Sequence, residues 1–237
     1  YWSLVLCRYG IEYVEDPSSH KRIPTVNRAQ FTSVFDDDNY RLAIQNADPS
    51  QKSIYEKEAK EINEIQKRIL AISQKEEPFD VFICYKETDE KSNRTQDSVL
   101  ANELYYQLVN EGFKVFFSRI TLEDKLGEAY EPYIFAALNS AKVMVVIGTK
   151  PEYFNAVWVK NEWSRYLARM TENGEGTLVA LYKGMLKEHL PTEFSHLHAM
   201  DMSEPDFENE LIRGIRKILV RTHEPKSEQK QDVPSDT

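Results

Sequence analysis

Trp158 and Glu162, one helical turn apart, are the pair in this chain best suited to chemistry. If the segment from Ala156 onward is helical, the i to i+4 step sets the Glu162 carboxylate over the Trp158 indole, with Arg165 and Arg169 on the same flank. Val159, Trp163, Tyr166, Leu167 and Met170 then recur at spacings of three and four as the buried stripe. A carboxylate beside an indole can stabilise a developing positive charge and stack a flat ligand. A single helical glutamate is ordinarily a solvated surface residue. Glu162 stands apart by its place, because its helix follows the strongest strand signal, Val143 to Ile147, where open α/β folds keep their ligand crevice.

Other chemistries lack their residues. No GxGxxG or GxxxxGK[ST] offers a phosphate cradle, and no GxSxG elbow is present. The histidines (His20, His189, His196, His198, His223) lie outside the expected crevice, so no Ser/His or Cys/His triad forms near Cys84 or Ser118. Asp36, Asp37 and Asp38 are consecutive and point in different directions, which suits a solvated helix start better than a metal. Cys7 and Cys84 are far apart without CxxC spacing, so neither a disulfide framework nor a zinc site is expected, and a reducing cytoplasm is the expected location. The formal charge of -9 disfavours nucleic acid as a partner. Apolar residues make up 41% and charged residues 29% of the 237, as in a globular protein, and no run is long enough for a membrane helix. No signal sequence opens the chain, and Tyr1 in place of Met leads us to expect a sequence trimmed from a longer one.

The elements that must position Glu162 follow from periodicity. Tyr1 to Thr25 has no clean period, and Phe31 to Ala47 suits a short helix. Ser53 to about Ser73 reads as a long helix capped by Ser50 or Ser53, with Tyr55, Ile62 and Ile69 in one heptad series and Ile65 and Ile72 in another. Its narrow seam either packs on the following domain or pairs with a second copy, and packing is favoured because short isolated coiled coils are marginal. Lys75 to Pro78 reads as a hinge. Strands then alternate with helices. Strands are expected at Phe79–Tyr85, Lys114–Phe117, Val143–Ile147, Thr177–Tyr182 and Leu197–Met202. The helices between and after them are expected at Ser98–Asn110, Tyr130–Ser140, Ala156–Met170 and Phe207–Val220. Strands apolar on both faces imply a flavodoxin-like, doubly wound, five-stranded parallel α/β sheet over 78–220, after a mainly helical extension over 1–77 and before a disordered tail over 221–237.

FDVFICYKETD, a helix ending EGFKVFFSR, the loop ITLEDKLGEAYEP, the strand VMVVIGT and AVWVKNEW, in that order, resemble a Toll/interleukin receptor (TIR) domain of the bacterial, catalytic type. The resemblance implies cleavage of the nicotinamide–ribose bond of NAD+, with NAD+ consumed as substrate and no cofactor or metal required. It implies that Glu162, in the W-x-x-x-E position, is the catalytic glutamate. Trp158 and Tyr85 would stack a flat ring, Lys86 and Arg119 would meet the diphosphate, and Leu122, Leu126 and Gly127 would line the loop after the second strand, Arg119 to Pro132. Cys84, Tyr85 and Lys86 stand where the family has Ser-Tyr-Arg, and Ser118 replaces a commoner acid in the binding region. Nicotinamide and ADP-ribose, or a cyclic isomer, are the implied products. Self-association through TIR domains is implied, and bacterial relatives imply a role in antiphage defence. Two other readings stay open: a TIR adaptor without catalysis, and a nucleoside deoxyribosyltransferase-like enzyme with a similar glutamate.

Overall fold

A computed structural model of the chain describes residues 11–19, 21–26, 45–123 and 130–221. The helix expected over 31–47 falls almost wholly outside the described residues, as do Leu126, Gly127 and nearly all of the tail.

Five strands form one parallel sheet: β3 (Val81–Cys84), β4 (Val115–Phe116), β5 (Val143–Gly148), β6 (Thr177–Tyr182) and β7 (His198–Asp201), in spatial order β4-β3-β5-β6-β7. Every residue of β3, β4 and β5 is buried, as expected when helices cover both faces of a parallel sheet. Strand side chains alternate in direction, so the sheet feeds two separate layers. Val81, Ile83, Val145 and Ile147 point toward Leu100, Leu104 and Leu108 of α2 (Gln96–Asn110) and toward Leu211 and Ile215 of α7 (Phe207–Arg221). Phe82, Cys84, Met144 and Val146 point the other way, toward Ala137 and Leu138 of α4 (Tyr130–Ser140) and Val159, Trp163 and Tyr166 of α6 (Val157–Asn173). Two short helices lie before and after α4: α3 (Ser118–Thr121) and α5 (Pro151–Phe154).

Gly148 ends β5 where the chain turns into α5. A Cβ built there would stand 2.1 Å from Cε2 of the fully buried Phe154 ring. Gly148→Ala is therefore expected to cost about 3 kcal/mol or more through overpacking, read as a lowered denaturation midpoint without a change in m-value.

Ahead of the sheet lie β1 (Ile11–Glu15) and β2 (Arg22–Val26), an antiparallel hairpin, and the long helix α1 (Pro49–Lys75). The hairpin adds two strands to an extension whose longest element is helical: Glu and Arg at the strand ends and Pro24 within β2 hide the period, as an edge strand tolerates. The cap of α1 is Asp48, whose Oδ1 accepts from the N–H groups of Ser50 (2.9 Å) and Gln51 (3.1 Å), with Pro49 at the first helical position. That corrects the assignment to Ser50 or Ser53, since Pro49 fits N1 without losing a hydrogen bond. α1 lies on α4 and β2, and Ile69 in its C-terminal half is fully buried. Arg22 ties the hairpin to the sheet domain by donating from Nη1 to the Ser140 carbonyl (3.0 Å) while its guanidinium lies over the Tyr13 ring.

Candidate active site

Glu162 belongs to the second turn of α6, whose first turn passes beside the carboxyl end of β3. Cys84, the last residue of β3, directs its thiol into that junction, donating to the Val159 carbonyl (3.6 Å) near the Glu162 carboxyl. The Glu162 side chain is partly exposed, and protein atoms crowd its carboxyl. Burial raises its pKa from 4.5 to about 7, and the Cys84 hydrogen bond opposes part of that rise. Burial and the neighbouring Glu162 charge together push the Cys84 thiol well above its ordinary value, so it remains a neutral donor. The mild difference from the family's serine thus bears on the carboxylate itself: a thiol is a weaker donor than a hydroxyl and leaves more of the desolvation uncompensated.

The raised pKa carries a stability consequence with a definite sign. Unfolded Glu162 loses its proton near 4.5 and the folded form near 7, so between those values the native state holds more protons and stability falls as pH rises. The penalty is absent below the lower value, complete above the upper one, and worth about 3 kcal/mol by linkage. Glu162→Gln is expected to unfold at a higher temperature than wild type at pH 8 and at nearly the same temperature at pH 4. Scanning calorimetry at both pH values checks this.

Tyr85 continues from Cys84 into the loop after β3. Its ring packs against Phe117 with centroids 5.2 Å apart and is almost wholly buried. It therefore offers a ligand its hydroxyl rather than a stacking face. That hydroxyl lies 3.4 Å from Ser118 Oγ, and burial together with the nearby Glu87 and Glu162 carboxylates raises its pKa. Ser118 opens α3 and is thereby fastened to the β3 loop. Lys86 is partly exposed and lends its carbonyl to the Thr95 hydroxyl; Arg119 is exposed on α3. Leu122 is buried in the same layer as Phe82 and Cys84, which makes it a core residue beneath the loop. Trp158 is 49% exposed at the start of α6 beside Val157, 73% exposed. Of the two arginines on its flank, Arg165 lies over the Phe135 ring (4.5 Å) and Arg169 donates to the carbonyls of Leu138, Asn139 and Ala141. Arg169 thus closes the end of α4.

Asp97 went unnoticed in the sequence. Fully buried in the first turn of α2, it accepts at Oδ1 from the Thr149 backbone N–H (2.8 Å) and hydroxyl (2.6 Å), binding the loop after β3 to the end of β5. Its Oδ2 is buried without a partner, and burial lifts its pKa to about 6. The helix begins at Gln96 rather than Ser98 because Thr95 caps it by accepting from the Ser98 N–H (3.1 Å). Glu87, also unnoticed, has a buried Oε2 without a hydrogen-bond partner. Carboxyls, a phenol and the bases Lys86, Arg119 and Lys150 therefore gather where β3, β4 and β5 end.

Among the described residues no helix is long and apolar enough to cross a membrane. The family model described as TIR domain matches residues 81–217. No curated protein matches the chain. Among solved structures, it is similar to a metazoan TIR-STING receptor from C. gigas in complex with 2',3'-cGAMP, at 18% identity and TM-score 0.45, over 58% of this chain and 39% of that one. It is also similar to the TIR domain of the Toll-related receptor TRR-2 from Hydra magnipapillata, at 18% identity and TM-score 0.44, over 58% of this chain and 98% of that one. A second structure of the C. gigas receptor gives 17% identity and TM-score 0.42, over 58% of this chain and 40% of that one. The chain thus spans about two fifths of the receptor and nearly all of the Hydra domain.

Proposed function

With the chain a member of the TIR domain family, we propose that it cleaves the nicotinamide–ribose bond of NAD+, with Glu162 as the catalytic group. The observation that carries this reading is a carboxyl at the carboxyl end of a central strand, beside the Cys84 thiol, whose pKa burial raises to about 7. Loss of nicotinamide leaves an oxocarbenium-like ribose, so a pre-positioned carboxylate stabilises charge that the sugar lacks in the ground state. Nicotinamide departs neutral, and no strong acid is needed. In this reading the Tyr85 hydroxyl orients the ribose, the exposed Trp158 face takes a flat ring, and Lys86 and Arg119 meet the diphosphate. Water as acceptor yields ADP-ribose, and an atom of the same nucleotide yields a cyclic isomer. No metal or cofactor takes part. The reaction would serve an NAD+-depleting response such as antiphage defence.

The adjoining exposed apolar side chains Val157 and Trp158 favour self-association beside the cleft. A neighbouring TIR domain would then complete the enclosure of so large a substrate. The test is incubation of the whole chain with NAD+ over a range of protein concentrations, with products identified by mass spectrometry. Nicotinamide release whose specific activity rises with protein concentration supports catalysis by an assembly. Assembly with no NAD+ loss selects the adaptor reading, and nucleoside turnover with no NAD+ loss selects the deoxyribosyltransferase-like one.

A further inference from the structure

The strand order β4-β3-β5 sends the chain out of β3 and β5 in different directions. From β3 it crosses to α2 on one face of the sheet, and from β5 it passes through α5 to α6 on the other. Chains that part in this way open a crevice at the strand ends, where open α/β folds hold their ligands. The ladder between β3 and β5 stops at the pair Cys84 and Val146, while β5 runs on beside β6 to Gly148. Beyond Cys84 the two walls of the crevice are therefore joined by side chains rather than by strand pairing.

Asp97 spans that gap. Fully buried in the first turn of α2, it holds the N–H of Thr149 at 2.8 Å and the hydroxyl at 2.6 Å, one residue beyond β5. Both ends of the link are stiff. On the β3 side, the loop from Lys86 to Thr95 closes on itself: Thr88 and Arg94 form an antiparallel bridge, Asp89 Oδ1 accepts from the N–H groups of Lys91 and Asn93 (2.8 Å each), and the Thr95 N–H donates to the Glu87 carbonyl (3.0 Å). The loop thus forms one body, anchored at Asp97. On the β5 side, Thr149 leads into α5, where the Phe154 carbonyl receives the indole N–H of Trp163 (2.8 Å), the residue after Glu162. Lys150 adds an attraction across the same gap, since its charge bears on both Asp89 and Asp97.

Stability alone does not call for a carboxylate here. Its second oxygen is buried without a hydrogen-bond partner, and an apolar residue of similar size in such a place is often neutral or stabilising. A carboxylate supplies what an apolar residue lacks, two directed bonds to a single residue. Resting on the NAD+ reaction assigned to Glu162, we propose that Asp97 is a positioning residue: its bonds to Thr149 fix the separation of the crevice walls, and with it the approach of the Glu162 carboxylate to the ribose. A misplacement of about 1 Å at such a distance lowers a rate about a hundredfold.

Steady-state kinetics of the whole chain with NAD+ test this. Thr149→Val removes the hydroxyl donor and keeps nearly the same shape. Its kcat should fall at least about tenfold with KM within about threefold of wild type, as when reacting groups lose alignment rather than affinity. Thr149→Ser restores the donor and should regain roughly half or more of the wild-type kcat. Asp97→Ala should lower kcat at least as far as Thr149→Val, and the double variant no further than Asp97→Ala, because both act through one contact. A cooperative unfolding transition establishes that each variant is folded, and if Asp97→Ala does not fold, the two Thr149 variants decide. A folded Thr149→Val with wild-type kcat, whatever its Tm, overturns the positioning role and leaves Asp97 a structural tie. Equal losses in Thr149→Val and Thr149→Ser overturn it as well. Absence of NAD+ turnover in the wild type overturns the reaction itself and this role with it, so the two failures are told apart.

Discussion

Glu162→Ala is expected to lower NAD+ turnover at least a hundredfold, a loss of about 2.7 kcal/mol of transition-state stabilisation. Removing the carboxyl leaves Cys84, Tyr85 and the bases in place, so binding of NAD+ should survive while the chemical step does not. The loss should appear in kcat and kcat/KM alike, as for an interaction made chiefly in the transition state. Activity equal to wild type would remove Glu162 from the reaction. The wild-type pH profile carries the same argument. Only the ionised carboxylate stabilises the sugar cation, so kcat/KM should fall about tenfold per pH unit below about 7, the value to which burial raises this group. A bound pyridinium adds a positive charge nearby and favours the ionised form, so the corresponding limb of kcat should lie at lower pH. A profile flat from pH 5 to 8 would contradict this.

Trp163→Ala is expected to destabilise the fold by about 3–5 kcal/mol, the range for removing a large buried aromatic. Trp163 is almost completely buried, donates from its indole N–H to the Phe154 carbonyl (2.8 Å) and meets the Phe194 ring edge-on at 4.9 Å. Its removal opens a void under α6 and leaves that carbonyl short of a donor. Trp158→Ala, five residues earlier on the same helix, removes a half-exposed ring and should leave the denaturation midpoint nearly unchanged while weakening NAD+ binding. Urea unfolding of both variants separates the roles, and a Trp158 variant as unstable as the Trp163 one would reverse the assignment of core and site.

The contrast between these two tryptophans shows what the sequence made legible. The periodic stripe through Val159, Trp163 and Tyr166 identified the buried face of α6 correctly. Thr177–Tyr182 was located at its observed limits and the helix after residue 130 at its observed end, Ser140, because apolar runs bounded by polar turns leave little choice. Signals failed where contacts are non-local. Asp97 and Thr149 are 52 positions apart, and an acid in the first turn of a helix reads as a dipole partner on the surface until the end of β5 is brought against it. Tyr85 looked like a platform for a base because aromatics near strand ends often are. Only the fold shows its face spent on Phe117 and its hydroxyl turned to Ser118 and Glu87. The β1–β2 hairpin stayed hidden because exposed residues such as Val14 and Ile23 alternate with those that face the domain, Tyr13 and Arg22, without an apolar period.

The arginine that reaches from that hairpin to Ser140 bears on how the protein should be handled. Arg22 supplies a donor to the last turn of α4, and Tyr13 and Ile69 shield the same helix from water. A fragment trimmed to the sheet domain would bare that greasy flank and strand the Ser140 carbonyl without its guanidinium, inviting precipitation or adventitious dimers. Assays of recruitment or catalysis on such a fragment would then describe an artefact of the scissors, whereas the chain with its leading hairpin and helix retained is the smallest faithful reagent.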